Sequence, residues 1–179
     1  MPKQYGDYLD SVNNGLAVQD VFIKALNKYL KDYPDTKIRT STLYEDKNKH
    51  IDVVCSRGNN TVTFDVKEQK KLHRYDDKPS DVYTWVELQN NYGGNGWIYG
   101  SEKYLAFEKG NTFIVVDRIK LLNLVVENKK EPILYSNKVL SPYMQYQRRN
   151  YGNLDISVLV PYSDIIKISL SIINKCTDI

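Results

Sequence analysis

The sequence predicts an α/β domain in which helices flank a mixed, mainly antiparallel central sheet. Apolar residues between positions 16 and 30 recur at steps of three and four, the period of an amphipathic helix. Short β-like runs then follow, and Gly58, Asn59 and Asn60 supply the turn residues between two of them. The first half of the chain is therefore expected to be a helix followed by an antiparallel meander.

The remaining elements are predicted from periodicity, turn residues and helix caps. Pro34 ends the first helix, and Asp117 caps a helix that continues to about Val126. Pro161 and Ser163 open a final helix. The segment 89–96 is rich in Asn and Gly and is expected to be a loop, and the weakly patterned 129–149 is expected to be a long surface excursion. Strands are expected over 37–44, 51–55, 61–67, 82–88, 104–107, 112–116 and 156–160.

Composition predicts one globular domain and limits the function classes. A chain of 179 residues with 41% hydrophobic content can bury a real core, and it contains no repeat or linker. The formal charge of +3 permits an anionic partner without requiring one. Cys55 and Cys176 match no metal-ligand spacing, and the first residues lack the apolar core of a signal peptide, so a cytoplasmic protein with free thiols is expected. No apolar run approaches the roughly 20 residues that span a bilayer, so no membrane partner is expected.

Three ionisable residues are predicted to meet on the early strands. Side chains alternate along a strand, so Asp65 and Lys67 share one face of the run 61–67. If this run pairs with 51–55 about the turn at 58–60, Asp52 falls opposite Asp65 and Val66. Two facing carboxylates repel each other unless a cation lies between them, and oxygen ligands suit Mg²⁺ or Mn²⁺. The alternative is a solvent-facing strand surface with ordinary cross-strand ion pairs.

The same residues resemble a known nuclease signature. Asp52, twelve intervening residues and then Asp65-Val66-Lys67 are similar to the motif of the PD-(D/E)xK superfamily, which includes restriction endonucleases and Holliday junction resolvases. The preceding helix matches the family order, although Ile51 stands where the family usually has proline. The segment after the triplet also resembles small phage and mobile-element nucleases.

That resemblance implies a restriction-endonuclease-like fold and a Mg²⁺-dependent deoxyribonuclease, with Mn²⁺ able to substitute and branched or structured DNA as one kind of substrate. It implies that Asp52, Asp65 and the Val66 carbonyl hold the metal, and that Lys67 activates the attacking water. It further suggests Asp20 as a helical metal ligand and Glu87 as an active-site acid. For Asp20 the alternative is a solvated helix residue.

Several basic and aromatic residues are candidates for DNA contact. A basic run follows the Asp-x-Lys triplet, a glycine-rich loop follows the strand over 82–88, and "QYQRRNYGN" mixes arginines with tyrosines. The alternatives are a solvated face, a tight turn anchored by Trp97 and a polar hairpin. His50 and His73 show no metal-ligand spacing and are expected at the surface. The candidates are Lys70, Lys71, Arg74, Tyr92, Tyr99, Arg148 and Arg149.

Two function classes stay open. The first is the DNA-cleaving enzyme, for which the resemblance leaves a symmetric homodimer open. The second is a non-catalytic DNA- or protein-binding module on the same fold.

Overall fold

The computed structural model describes residues 5–73, 75–134, 141–150 and 153–176. These residues form two compact units, each assembled from discontinuous segments. The first unit draws its described residues from Met1–Glu68, Glu102–Val115 and Ser171–Ile179, and the second from Gln69–Ser101 and Val116–Leu170. No helix in these residues combines the length and apolarity needed to cross a membrane.

The elements follow one another in mixed α/β order. In chain order they are α1 (Tyr5–Tyr29), β1 (Lys37–Thr40), α2 (Leu43–Lys49), β2 (Val53–Arg57), β3 (Asn60–Lys67), β4 (Tyr83–Gln89), a short 3₁₀ helix (Trp97–Tyr99), β5 (Tyr104–Lys109), β6 (Thr112–Asp117), α3 (Arg118–Asn128), β7 (Pro132–Leu134), β8 (Gln145–Asn150), β9 (Asn153–Pro161), α4 (Tyr162–Lys167) and β10 (Ser169–Asn174).

A six-stranded mixed sheet in the order β1-β2-β3-β5-β6-β10 confirms the predicted class. The β1–β2 and β2–β3 pairs are antiparallel, whereas β3 and β5 are parallel. Helix α1 covers one face, where Phe22 packs edge-on against Phe64 and Phe113 at ring-centroid distances of 5.3 and 5.1 Å. Val53 and Ala106 are fully buried in the same core. The apolar stripe of α1 therefore does what its period predicts.

The strand predicted over 37–44 is wrong beyond Thr40, because a helix cap intervenes. The Thr42 hydroxyl accepts a hydrogen bond from the Glu45 N–H, and the Glu45 carboxylate accepts one from the Thr42 N–H. Arg39 also donates to both carboxylate oxygens of Glu45, at 2.8 Å each. This capping box starts α2, none of whose residues is buried. The Thr-x-x-Glu spacing is the sequence signal that identifies such a helix start.

The second unit is a four-stranded sheet in the order β4-β9-β8-β7 with α3 and α4. The strand predicted over 82–88 forms β4 and pairs antiparallel with β9 in this sheet. Asp117 caps α3 as predicted, since its carboxylate accepts from the Ile119 and Lys120 N–H groups. The segment 129–149 contains β7 and much of β8 rather than only a surface excursion, and β10 was not predicted.

The loop after β4 is closed by its own hydrogen bonds. The Asn90 side chain accepts from the Tyr92 and Gly94 N–H groups at 3.0 Å each and donates to the Asn95 carbonyl at 3.1 Å. The Gly96 N–H then donates to the Leu88 carbonyl at 2.9 Å, which brings the chain back against the end of β4. Close approach, not positive φ, requires glycine at position 96, because a Cβ there would overlap the main-chain carbonyl of Glu87.

We expect Gly96→Ala to lower the free energy of unfolding by roughly 1–3 kcal/mol, because the new methyl group meets rigid main chain. Gly15→Ala is the matched control, since a Cβ there meets nothing within 4 Å and alanine favours the interior of α1. That variant should gain about 0.5–1 kcal/mol. Denaturant melts of both proteins measure the difference. Equal stability of the two variants would contradict the tight return of the loop.

Candidate active site

The register of β2 and β3 brings Asp52 beside Asp65. Val53, the first residue of β2, pairs with Phe64, and Cys55 pairs with Val62, so Asp52 lies directly before the last pair of the ladder and close enough for the charge of Asp65 to act on it. The Asp52 N–H donates to the Phe64 carbonyl at 2.8 Å, which fixes that end of the ladder. The pairing predicted from the turn at 58–60 is therefore confirmed.

Both carboxylates are held by partners from β3. Asp52 Oδ2 accepts the Val66 N–H at 2.7 Å, and Lys67 Nζ forms an ion pair with Asp65 Oδ2 at 2.7 Å. Asp65 is 2% exposed and Asp52 9% exposed, whereas the Lys67 side chain is 23% exposed. Asp65 and Lys67 lie on the face of β3 that points away from Phe64 and α1. Of the three groups, the ammonium is the one most accessible to solvent.

The carboxyls of Asp52 and Asp65 resist full ionisation. Burial and then the negative charge of Asp65 raise the pKa of Asp52 to about 7, against the opposing effects of Lys67 and the Val66 N–H. Burial likewise raises the pKa of Asp65 to about 6, although Lys67 opposes the shift. Without a cation, the two carboxyls therefore favour a state that holds a proton near neutral pH.

Two further ionisable residues lie near these carboxylates and were not predicted there. Glu102, 1% exposed just before β5, raises the pKa of Asp65 through its negative charge. His50 ends α2 with a φ of 55° and is half-buried; burial and then the charge of Lys67 lower its pKa. The expectation that His50 lies simply at the surface is therefore wrong. The parallel β3–β5 pairing that brings Glu102 near has no local sequence signal.

The donor set suits a hard divalent cation that keeps part of its water. The described residues contain no group of three or more His, Cys, Asp and Glu side chains arranged to hold a metal. Asp52 and Asp65 supply two carboxylates, and the Val66 carbonyl points to the same side as its N–H, which meets Asp52. Mg²⁺ is commonly held by one or two carboxylates and several waters. Two carboxylates with one main-chain oxygen fit that chemistry.

The two other predicted active-site acids lie on α1 and on β4. Asp20 is exposed on α1, on the side of the helix opposite Phe22, so the structure does not bring it to Asp52 and Asp65. Glu87 belongs to the second unit, where it is half-buried in β4 opposite Ser157 and beside a β-bulge.

The predicted DNA-contact residues fall into three groups. Lys70 and Lys71 are exposed, and Tyr92 and Tyr99 are 88% and 42% exposed. The loop is anchored by Ile98, which is fully buried and accepts a hydrogen bond from Arg118 through its carbonyl; Trp97 is only half-buried. The third group, Arg74, Arg148 and Arg149, lies outside the residues whose side chains the structure describes.

Comparison with known proteins gives no match, whether to a protein-family model, to a curated protein or to a solved structure.

In the presence of a chelator, the free energy of unfolding should fall as the pH rises from about 4 to about 7. The folded pKa values of Asp52 and Asp65 are raised, so the stabilisation is complete at low pH and is lost as the folded carboxyls ionise. Asp65→Asn should remove much of this fall in the free energy of unfolding. At about pH 8 the variant should be more stable than wild type, by about 1.4 kcal/mol for each unit by which folding raises the pKa of the carboxyl.

Asp164→Asn is the control, because the contribution of Asp164 to stability should change with pH in the opposite direction. The hydrogen bonds from Lys167 and Tyr143 lower the pKa of Asp164, so its contribution is present near neutral pH and is lost as the pH falls. Denaturant melts across this pH range measure both effects. If Asp65→Asn is no more stable than wild type at about pH 8, the two carboxylates are not destabilising the metal-free fold.

Proposed function

We propose that the protein is a metal-dependent endonuclease that hydrolyses DNA phosphodiester bonds. The observation that carries the proposal is the meeting of Asp52 and Asp65 in a buried place, with the Lys67 ammonium 2.7 Å from Asp65 Oδ2. Burying two facing carboxylates is unfavourable for the fold. Groups arranged against the stability of the fold commonly serve a function.

The metal-binding role belongs to Asp52, Asp65 and the Val66 carbonyl. These oxygens would hold Mg²⁺, and Mn²⁺ would substitute because it prefers similar oxygen ligands. When bound, such an ion lowers the pKa of a coordinated water and stabilises charge on a phosphate. The Val66 N–H holds Asp52 Oδ2, which leaves the second oxygen, Oδ1, to face the cation.

Lys67 has the role of orienting water and stabilising charge. Its ammonium carries three N–H donors and forms the ion pair with Asp65, and the 23% exposure of the side chain allows a phosphate to approach. A cation at this place would hold the attacking water by hydrogen bonding and stabilise the negative charge that develops on the phosphate oxygens.

The DNA-binding role is assigned to exposed cations and aromatics. Lys70 and Lys71 lie shortly after the Asp-x-Lys triplet along the chain, are exposed and would contact backbone phosphates. Tyr92 stands 88% exposed on a loop that Asn90 fixes internally, so it is an ordered surface for stacking on a base. Tyr99 offers a second aromatic surface on the same segment.

One observation favours the second candidate, a non-catalytic DNA- or protein-binding module. The pKa of Asp52 is raised to about 7 and that of Asp65 to about 6, so a proton held by the two carboxyls could satisfy them without any cation. Calorimetric titration with Mg²⁺ and Mn²⁺ separates the two functions. Wild type and Lys31→Ala should bind and Asp65→Asn should not; absence of binding to wild type would leave the module as the better account.

Lys67→Ala should abolish cleavage of plasmid and branched DNA in Mg²⁺ while DNA binding stays within about tenfold of wild type. Loss of a charge that acts in the transition state should raise the activation barrier of cleavage by roughly 3 kcal/mol or more. The exposed Lys31 provides the matched control, since Lys31→Ala removes the same charge elsewhere in the first unit. Cleavage by Lys67→Ala at the wild-type rate would remove Lys67 from the mechanism.

The double variant Tyr92→Ala/Tyr99→Ala should weaken DNA affinity by about 1 to 3 kcal/mol for each lost stack. The melting temperature should change little, because both rings are exposed and Ile98 anchors the loop. Fluorescence anisotropy and thermal melts measure the two properties. A large fall in melting temperature with normal DNA binding would show that the rings act only in the structure of the loop.

A further inference from the structure

The last strand of the six-stranded sheet presents an edge made of uncharged residues. β10 stands at one end of the strand order, and its sequence SLSIIN contains no charged residue and no proline. The opposite edge strand, β1, carries Lys37 and Arg39, and such charges discourage a second strand from pairing. The β10 edge lacks that protection.

Aliphatic side chains on β10 are exposed in alternation. Ile173 is 3% exposed and belongs to the core beneath α1. Leu170 and Ile172 point to the other face and are 51% and 48% exposed. Their aliphatic surface would be buried if another strand were added beside β10.

The position of β10 is fixed at its end. The Lys175 N–H donates to the Asn111 carbonyl at 2.9 Å, and Lys175 Nζ lies 2.5 Å from Glu108 Oε1. Main-chain groups alternate in direction along a strand, so the N–H groups of Ser171 and Ile173 point into the sheet like that of Lys175. Those of Leu170 and Ile172 point outward, where an added strand would meet them.

We propose that a second copy of this chain pairs antiparallel with β10 about a two-fold axis and joins two six-stranded sheets into one. A two-fold contact uses the same surface on both partners, and an uncharged strand can lie opposite itself without like-charge repulsion. DNA does not suit this edge, because no residue of β10 itself is a lysine or arginine. With Ser171 at the axis, each Leu170 lies opposite an Ile172, so the aliphatic side chains pair. The proposal does not depend on nuclease activity.

Sedimentation velocity on the full chain across a wide range of concentration tests the pairing. The wild-type mass should rise from that of the 20.8 kDa monomer towards twice that value. Ile172→Lys should remain monomeric, because it brings two ammonium groups together near the axis. Ile119→Lys is the matched control, since Ile119 is 49% exposed on α3, and it should behave as wild type.

Two further measurements keep the test decisive if Ile172→Lys folds poorly. Ser171→Cys in a Cys176→Ser background should form a disulfide-linked dimer under mild oxidation, and Cys176→Ser alone should not, because directly opposed strand residues lie within disulfide reach. Hydrogen exchange should slow with rising concentration at the Leu170 and Ile172 amides and stay constant at Ser171 and Ile173. A wild-type protein of monomer mass at all concentrations, or a folded Ile172→Lys that dimerises as wild type does, would overturn the proposal.

Discussion

The antiparallel register of β2 and β3 is the constraint on which the candidate site depends. Because Val53 lies opposite Phe64, the residue just before β2 meets the C-terminal end of β3, and Asp52 and Asp65 come together. A slip of one residue would send Asp65 and Lys67 to the α1 face and remove Phe64 from its contact with Phe22. The aromatic packing beneath α1 therefore also positions the carboxylates on the other face.

Local polar contacts around α2 support that arrangement. The Ser41 N–H donates to the Asp52 carbonyl at 2.8 Å, and the capping box between Thr42 and Glu45 follows immediately. His50 then ends the helix in a left-handed conformation, and the chain enters β2 through Asp52. Because α2 buries none of its residues, its caps and the Arg39–Glu45 pair, rather than an apolar face, account for this helix. The backbone that carries Asp52 is thus set from both sides.

The electrostatics of the site oppose the fold rather than help it. Burial raises the pKa of both carboxyls, with a smaller contribution from the charge of Asp65 at Asp52 and from the charge of Glu102 at Asp65, and the Lys67 ion pair offsets only part of the effect. The pair of Asp164 and Lys167, whose side chains are 24% and 74% exposed, shows the contrast, because there the cation lowers the carboxyl pKa. The difference between the two places is burial, which disfavours the charged form. A bound cation or a shared proton would relieve the strain, and the two functional candidates differ in which one they assign to the site.

Much of the local structure was determined by the sequence itself. The period of α1, the turn at 58–60 and the Asp117 cap depend on contacts within a few residues, so pattern and propensity were sufficient to predict them. The meeting of Asp52, Asp65 and Lys67 also followed from the strand period and one tight turn. Tertiary structure alone decided that β4 joins β9 in a second sheet, that β10 completes the first, and that Glu102 lies near Asp65 while Asp20 points to solvent. These outcomes depend on pairings between segments far apart in the chain, whose free energy comes from burial and long-range hydrogen bonding that no local pattern records.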